Sequence, residues 1–193
     1  MKTMLLHCCC GPCALAPLQE LINHEIRPTL YFYNPNIYPY GEFKKRYQAL
    51  KKVAKKYRLK LIKGPYRHQK WLNFLKNHLT EPPQNYPEND QRCQFCFLER
   101  LEQTARFAKK KGYQSFATTL SVNRFKDINY INQKGRELAQ NYKLNYYQFN
   151  LNPSEASLFN LRLAQELKLY RQKYCGCEFS LKKESYFIQK LKK

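Results

Sequence analysis

The chain turns apolar almost at once. Lys2 to His7 (KTMLLH) reads as a short buried strand. Cys8 to Cys13 follows as a loop, and Ala14 to Asn23 has helical composition. The stretch RPTLYFYNPN carries a second strand, Thr29 to Tyr33, closed by Asn34-Pro35. From Glu42 to Tyr57 the apolar positions Phe43, Tyr47, Leu50, Val53 and Ala54 recur at three- and four-residue spacing, which predicts an amphipathic helix. LKLIKG (59–64) is a third short strand, and Trp71 to His78 a helix. The Pro- and Asn-rich TEPPQNYPENDQ is a loop. Arg92 to Gly112 is helical, with a capping glycine at its end. Ser115 to Leu120 is a fourth strand, Asp127 to Tyr142 a helix, and LNYYQFN (144–150) a fifth strand. Leu158 to Leu169 is helical, and Tyr186 to Lys193 a last basic turn or helix. Strands alternate with helices throughout. That predicts one α/β domain over residues 1–193 with a mainly parallel sheet, without internal repeat or linker.

This layout sets the sequence HCCCGPC (7–13) at the C-terminal end of the first strand, where open α/β sheets bind ligands. A phosphate-binding enzyme would carry a Gly-rich loop there, but the position holds cysteines and only Gly11. The eight cysteines fall in three groups: Cys8, Cys9, Cys10 and Cys13; Cys93 and Cys96; Cys175 and Cys177. Neighbouring thiols in so short a span cannot staple a fold. Grouped cysteines in a cytosolic chain point to metal or redox chemistry. A structural zinc ion takes four ligands, so two pairs would close one site and leave HCCCGPC unexplained. Adjacent ligands such as Cys9 and Cys10 are awkward on one tetrahedral ion. The irons of an iron–sulfur cluster are separate, so adjacent cysteines reach different corners. The ligand rules favour iron–sulfur, with zinc and a redox dithiol at Cys10-Gly-Pro-Cys13 as the alternatives.

Charge narrows the partner. Thirty-five Lys and Arg against fourteen Asp and Glu give +21 and a pI near 9.7. Such a surplus favours polyanions, because each phosphate contact releases counterions. Sixteen Tyr and twelve Phe interleave with the cations, and unpaired RNA bases stack on such rings. No apolar run is long enough to span a bilayer. The N-terminus lacks a full signal-peptide core and cleavage site, so the expectation is a cytoplasmic protein without a membrane partner. A zinc-bearing RNA-binding module without catalysis would also explain the charge and two cysteine pairs, but not HCCCGPC.

The ordered set HCCCGPC, YNPNIYPYGEFKKR, RCQFCFLERLEQTARFA, FATTLSVNRFK and LYRQKYCGCEFS resembles the QueH-type epoxyqueuosine reductases, from Leu5 to about Ser180. The resemblance implies an adenine-nucleotide-hydrolase-like (HUP, Rossmann-like) α/β fold. It implies cobalamin-independent removal of the epoxide oxygen from epoxyqueuosine at the tRNA wobble position, giving queuosine. It also implies a 4Fe–4S cluster with an adjacent mononuclear iron or other divalent metal. Carried over residue by residue, it assigns Cys9, Cys10, Cys93 and Cys96 to the cluster, and Cys13, Cys175 and Cys177 to the second metal. Cys8 stands where the family more often has an apolar residue and reads as a core cysteine. Asn123-Arg124 replaces the usual Ser-Pro before the aromatic-Lys pair Phe125-Lys126, and LNPSEASLFN departs from the usual polar stretch.

Removing an epoxide oxygen takes two electrons and two protons and releases water. A metal with an open position stabilises a developing alkoxide, and an external electron donor must supply the charge. The candidates for proton delivery are His7, Tyr33, Glu42 and Tyr174, all near the motifs. Each also has a structural reading: core histidine, packing tyrosines, and an acid at a helix N-terminus. Substrate contacts are expected from Arg46, Arg124, Lys126, Arg171 and Lys173, and from Asn34, Asn36, Thr118 and Thr119, which could equally hold their own turns.

Overall fold

The computed structural model describes residues 3–123 and 125–181. The expected basic turn at Tyr186 to Lys193 lies outside the described residues. Five strands form one sheet: β1 (Met4–His7), β2 (Thr29–Phe32), β3 (Leu61–Lys63), β4 (Ser115–Thr118) and β5 (Asn145–Tyr146). The order is β3-β2-β1-β4-β5, with every neighbouring pair parallel. All four residues of β1 are buried, as are all four of β4. Central strands of a parallel sheet are covered on both faces and so read as unbroken apolar runs.

Alternate side chains feed two cores. Leu6, Leu30 and Phe32 pack against α1 (Leu15–Asn23), α2 (Tyr40–Tyr57) and α6 (Pro153–Glu166). Leu5, Tyr31 and Phe116 pack against α4 (Gln91–Lys110) and α5 (Ile128–Tyr142). The remaining helix, α3 (His68–His78), lies beside α4, where Trp71 and Leu75 bury next to Cys96, Cys177 and Phe179.

The boundaries of α6 and β5 depart most from the sequence expectation. α6 begins at Pro153, five residues before the expected Leu158, because the Asn152 side chain accepts from the backbone N–H groups of Ser154 and Glu155 and Pro153 sits in the first turn. It also ends earlier, at Glu166. β5 shortens to Asn145–Tyr146 at the sheet edge, although the Tyr147 N–H still donates to the Phe116 carbonyl at 2.9 Å. Among the described residues, no helix is long and apolar enough to cross a membrane.

The chain runs outward from β1 to β3, then crosses back to β4 on the other side of β1. The loops after β1 and β4 therefore part at the switch point of the sheet, the place where this architecture opens a crevice.

Candidate metal centre

The loop after β1 is built by close approach. A Cβ on Gly11 would stand 2.7 Å from the Ala49 carbonyl carbon, so only glycine lets this loop lie on the α2 backbone. Pro12 then starts a short 3-10 turn, Pro12–Ala14. Cys8 turns into the core between β1 and α1, fully buried, its thiol donating to the Leu6 carbonyl at 3.4 Å. The chain bends at Cys9, and this bend brings the thiols of Cys9 and Cys10 onto one side, 3.9 Å apart. The sulfurs of Cys9, Cys10 and Cys13 all lie within 4.8 Å of one another. Adjacency was expected to make a shared ion awkward; the bend removes that obstacle.

The loop is held from β4. Thr119 Oγ1 accepts from the Cys9 N–H at 3.1 Å and donates to Cys9 Sγ at 3.4 Å. Thr118 Oγ1 accepts from the Leu120 N–H and lies 2.8 Å from His7 Nδ1. His7 Nε2 lies 3.0 Å from the Tyr33 carbonyl. A carbonyl only accepts, so Nε2 carries the hydrogen and Nδ1 accepts from Thr118. Burial, and then the charge of Arg100, push the His7 pKa down to about 3, which keeps the ring neutral. His7 thus laces the ends of β1, β2 and β4 together, with no nitrogen left for a substrate. Asn34 donates from Nδ2 to the Cys8 carbonyl at 2.9 Å and accepts from Arg100 at 2.5 Å. It holds the loop from the β2 side.

The other four thiols come from the start of α4 and from the segment after α6. Cys93 and Cys96 lie on one face of the first turns of α4, Cys93 Sγ accepting from the Asn89 N–H at 3.3 Å. Burial raises both thiols, and Cys175 raises each further, with Cys177 also acting on Cys96. Cys177 is raised by burial and then by Cys175. Cys175 Sγ accepts from Lys126 Nζ at 3.8 Å. In the structure, then, Cys13 sits with Cys9 and Cys10, Cys93 buries in the same core cluster as that trio, Cys96 buries beside Cys177, and Cys175 lines the cavity with Cys10 and Cys13.

Electrostatics separates the members of the first trio. Hydrogen bonds from Cys10 and Cys13, then the charges of Lys126 and Arg100, hold the Cys9 thiol well below its ordinary range. Cys10 is raised by its hydrogen bonds with Cys13 and Cys9 and by burial. Cys13 is raised as well: burial and its hydrogen bond with Cys9 outweigh the lowering hydrogen bond from Cys10. One thiolate shared by three sulfurs is a ready metal ligand.

The clamp on the Cys175 segment is Arg46. Its Nε donates to Glu42 Oε1 at 2.7 Å, Nη1 to the Cys175 carbonyl at 2.9 Å and Nη2 to the Tyr174 carbonyl at 3.1 Å. Burial opposes its charge, but Cys10 and Glu42 outweigh that and raise its pKa. Gly176, at φ +132°, fits against the guanidinium, where a Cβ would come within 2.8 Å of Nη1.

A cavity of about 790 Å³ opens over the trio; Cys10, Cys13, Cys175, Lys126, Phe125 and Leu158 belong to its lining. It shares Lys126, Gln172 and Cys175 with a narrow crevice that reaches Cys9, Asn36, Arg46 and Arg100. Several of the expected site residues are bonded to neighbouring protein groups. Tyr33 donates to Glu99 Oε1 at 2.6 Å, and burial, then Glu99, push its pKa up. Glu42 is committed to Arg46 and to the Tyr170 hydroxyl at 2.5 Å. Thr118, Thr119, Asn34 and Arg46 bind backbone and loop. Of the four proton-delivery candidates only Tyr174 lines the cavity, its hydroxyl donating to the Tyr38 carbonyl. Lys126, Arg171 and Lys173 line it too, and Arg124 lies outside the described residues. Sequence reasoning missed Arg100 and Gln172. Arg100 follows Cys93 and Cys96 at helical spacing, i+7 and i+4, and that was its available signal.

The crevice suits an anionic group. Arg100 Nε is a buried donor there without a protein partner, free for an anion, whereas Asn36 Oδ1 and Gln172 Oε1 are buried acceptors that call for a donor. Arg46, Arg100 and Lys126 bring three cations to it, against one carboxylate, Glu42, that contacts Arg46. Buried cations are costly without anions beside them. Thiolates, and a thiolate-held iron–sulfur cluster, are such anions.

A parallel α/β sheet with the thiols of Cys9, Cys10, Cys13 and Cys175 and the cations Arg46, Arg100 and Lys126 meeting at its switch point has the donors to hold a thiol-ligated metal. The comparisons carry this further. The family profile described as "Epoxyqueuosine reductase QueH" matches residues 4–183, so the chain belongs to that family. The epoxyqueuosine reductase QueH of Thermotoga maritima is 36% identical over 184 residues, covering 94% of this chain and 91% of that protein. That of Haemophilus influenzae is 34% identical over 180 residues, covering 93% and 71%. Among solved structures, the U34-tRNA thiolase NcsA from Methanococcus maripaludis with its [4Fe-4S] cluster aligns at TM-score 0.50 and 17% identity, covering 93% of this chain. This chain spans 62% of the thiolase, and the likeness is one of fold.

Proposed function

We propose that this protein reduces epoxyqueuosine in tRNA to queuosine, in the cytoplasm, with residues 1–193 acting as one unit. The observation that carries the reading is a cavity with thiols in its lining, backed by buried cations, in a chain of the QueH family. The net reaction takes two electrons and two protons, breaks the two carbon–oxygen bonds of the epoxide, forms the alkene and releases water. The electrons come from an external donor.

The thiol spacing supports a revised division of ligands. Around one tetrahedral ion with bonds of about 2.3 Å, sulfurs stand roughly 3.8 Å apart, close to the 3.9 Å between Cys9 and Cys10. Cys9, Cys10 and Cys13 would hold the single iron or other divalent metal. Cys93, Cys96, Cys175 and Cys177 would hold the 4Fe–4S cluster, whose separate irons take thiolates more widely spaced. When bound, the cluster supplies electrons singly and the adjacent metal supplies a Lewis acid.

The chain's own residues do the rest. Lys126, Arg171 and Lys173 draw the phosphates of the tRNA to the cavity. Tyr174 holds a proton on the cavity wall and is the group from which a leaving oxygen would take it. His7, Thr118, Thr119 and Asn34 hold the thiol loop, and Arg46 holds Tyr174 and Cys175. Asn36 turns a buried, unpaired oxygen to the crevice.

The test is anaerobic purification with counts of iron, zinc and acid-labile sulfide. About four sulfides with four or five irons per chain, and a broad absorption band, are expected. Epoxyqueuosine tRNA plus a reductant should then yield queuosine tRNA. Zinc without sulfide, even after reconstitution, would leave a basic zinc-bearing RNA binder and overturn the reductase.

A further inference from the structure

Among the described residues Arg46, Arg92 and Arg100 are the buried arginines, and a buried charge needs partners. Arg46 meets the carboxylate of Glu42 at 2.7 Å. Arg92 donates from Nη1 to the Pro83 and Tyr86 carbonyls and faces the Phe179 ring at 5.0 Å. Arg100 is 3% exposed and forms no ion pair with a carboxylate among the described residues. Its Nη2 donates to Asn34 Oδ1, a neutral amide, and its buried Nε–H has no acceptor there. The buried acids are placed elsewhere. Glu42 is bonded to Arg46 and Tyr170, and Glu99 accepts from Tyr33 with one oxygen and leaves the other without a partner.

The free donor lies where thiols from distant parts of the chain approach. Arg100 lines the narrow crevice with Cys9 and Cys175, and it stands one turn after Cys96 on α4. Its charge acts on both sides. Hydrogen bonds from Cys10 and Cys13 are the larger reason the Cys9 thiol is held low, and Arg100 adds to them. Burial raises Cys96, and Arg100 opposes it. A crevice of about 10 Å³ has room for one water, which would satisfy Nε. A water is neutral, however, and leaves the guanidinium without a counter-charge. A thiolate-held iron–sulfur cluster supplies that charge, and hydrogen bonds to its sulfurs set its reduction potential.

We propose that Arg100 is the counter-cation of the iron–sulfur cluster: its Nε–H donates to a sulfur of the cluster, and its charge makes the cluster easier to reduce. The proposal rests on the reductase reading above and adds to it the residue that sets how readily electrons enter. The step is the gain of one electron from a one-electron donor; no bond breaks, and Arg100 keeps its proton. A fixed cation in a buried site stabilises the added charge more than a surface cation does, because little water screens it. Lys126 shares the crevice but also lines the cavity, where an anionic substrate competes for its charge. Arg100 lines the crevice alone.

The experiment is a redox titration of the anaerobically loaded protein with dithionite, read by electron paramagnetic resonance of the reduced cluster. Iron and sulfide counts equal to the parent's show that a variant keeps its site. Arg100→Gln removes the charge. Its ratio of reduced to oxidised cluster at a given potential should fall about tenfold or more, a shift of about 59 mV or more for one electron. Arg100→Lys keeps the charge and loses Nε, so it should lie between the two. A loaded Arg100→Gln protein at the parent's potential overturns the inference and leaves Nε to a water. If Arg100→Gln holds no cluster, wild-type protein grown on isotope-labelled arginine decides. A hyperfine coupling from arginine nitrogen to the reduced cluster is expected, and its absence overturns the inference. Arg46 has its three nitrogens on oxygen acceptors and gives no coupling through a bond to sulfur. Zinc without sulfide in the wild type overturns the reductase reading and the inference with it, whereas an unmoved potential overturns the inference alone.

Discussion

A single hydroxyl shows what one residue does in this site. Thr119 both accepts from the Cys9 backbone and donates to its sulfur, so it fixes where the thiol points and favours its charged form. Thr119→Val keeps the shape and removes both bonds, leaving a buried N–H unpaired. The expected loss is about 1–3 kcal/mol of loop stability. The measurable result is faster release of metal to a chelator, while Thr119→Ser should hold metal as the parent does. If the two variants release metal alike, the hydroxyl is incidental. Thr119 was legible in the sequence only as a polar residue at the end of the fourth strand, a candidate for substrate contact or for holding its own turn. Its role depends on β4 lying beside β1, which no local pattern states.

At the scale of elements, the close approach of α5 to β5 depends on one glycine. A Cβ on Gly135 would stand 2.4 Å from the Tyr146 ring, so Gly135→Ala forces the ring away. Overpacking of this kind costs about 1–3 kcal/mol. The Tyr146→Ala background should relieve it, and chemical denaturation of the two variants and their combination measures the coupling. Tyr146 also donates to Asn132 Oδ1 at 3.0 Å, and burial raises its pKa to about 12. In the unfolded chain a tyrosine ionises near pH 10. The stability this tyrosine contributes is thus present below pH 10 and is lost as pH rises toward 12. Tyr146→Phe should be the less stable protein at pH 7, by about 1 kcal/mol. By pH 11 the gap should close by a similar amount. The helices and their apolar faces were readable from spacing alone. The start of α6 was readable too, from Asn152-Pro153, but that capping signal is one residue wide and the hydrophobic period begins later.

The whole molecule acts through its charge. With +21 spread over 193 residues, RNA binding should fall steeply with salt. If six or more phosphates are contacted, affinity should drop by about a thousandfold between roughly 50 and 200 mM salt. Anisotropy titrations at several salt concentrations give the slope directly. A flat slope would mean that the lysines of α2 and its neighbours do not meet the ligand.

The sequence by itself determined the α/β class, the place of the thiols at the end of the first strand, the surplus of cations and the family. Each of these is a local or summed property: apolar period, a motif's position after a strand, a count of charges, an ordered set of motifs. Only the tertiary structure decided which cysteine stands with which. Thiols more than eighty residues apart meet because β1, β4 and the start of α4 end at the same edge of one sheet. Only there do Arg46 and Arg100, ordinary cations on amphipathic helices, become buried partners of sulfur, and His7 a neutral tie between strands. Burial and proximity turn a residue type into a role, and both are set by packing across the fold.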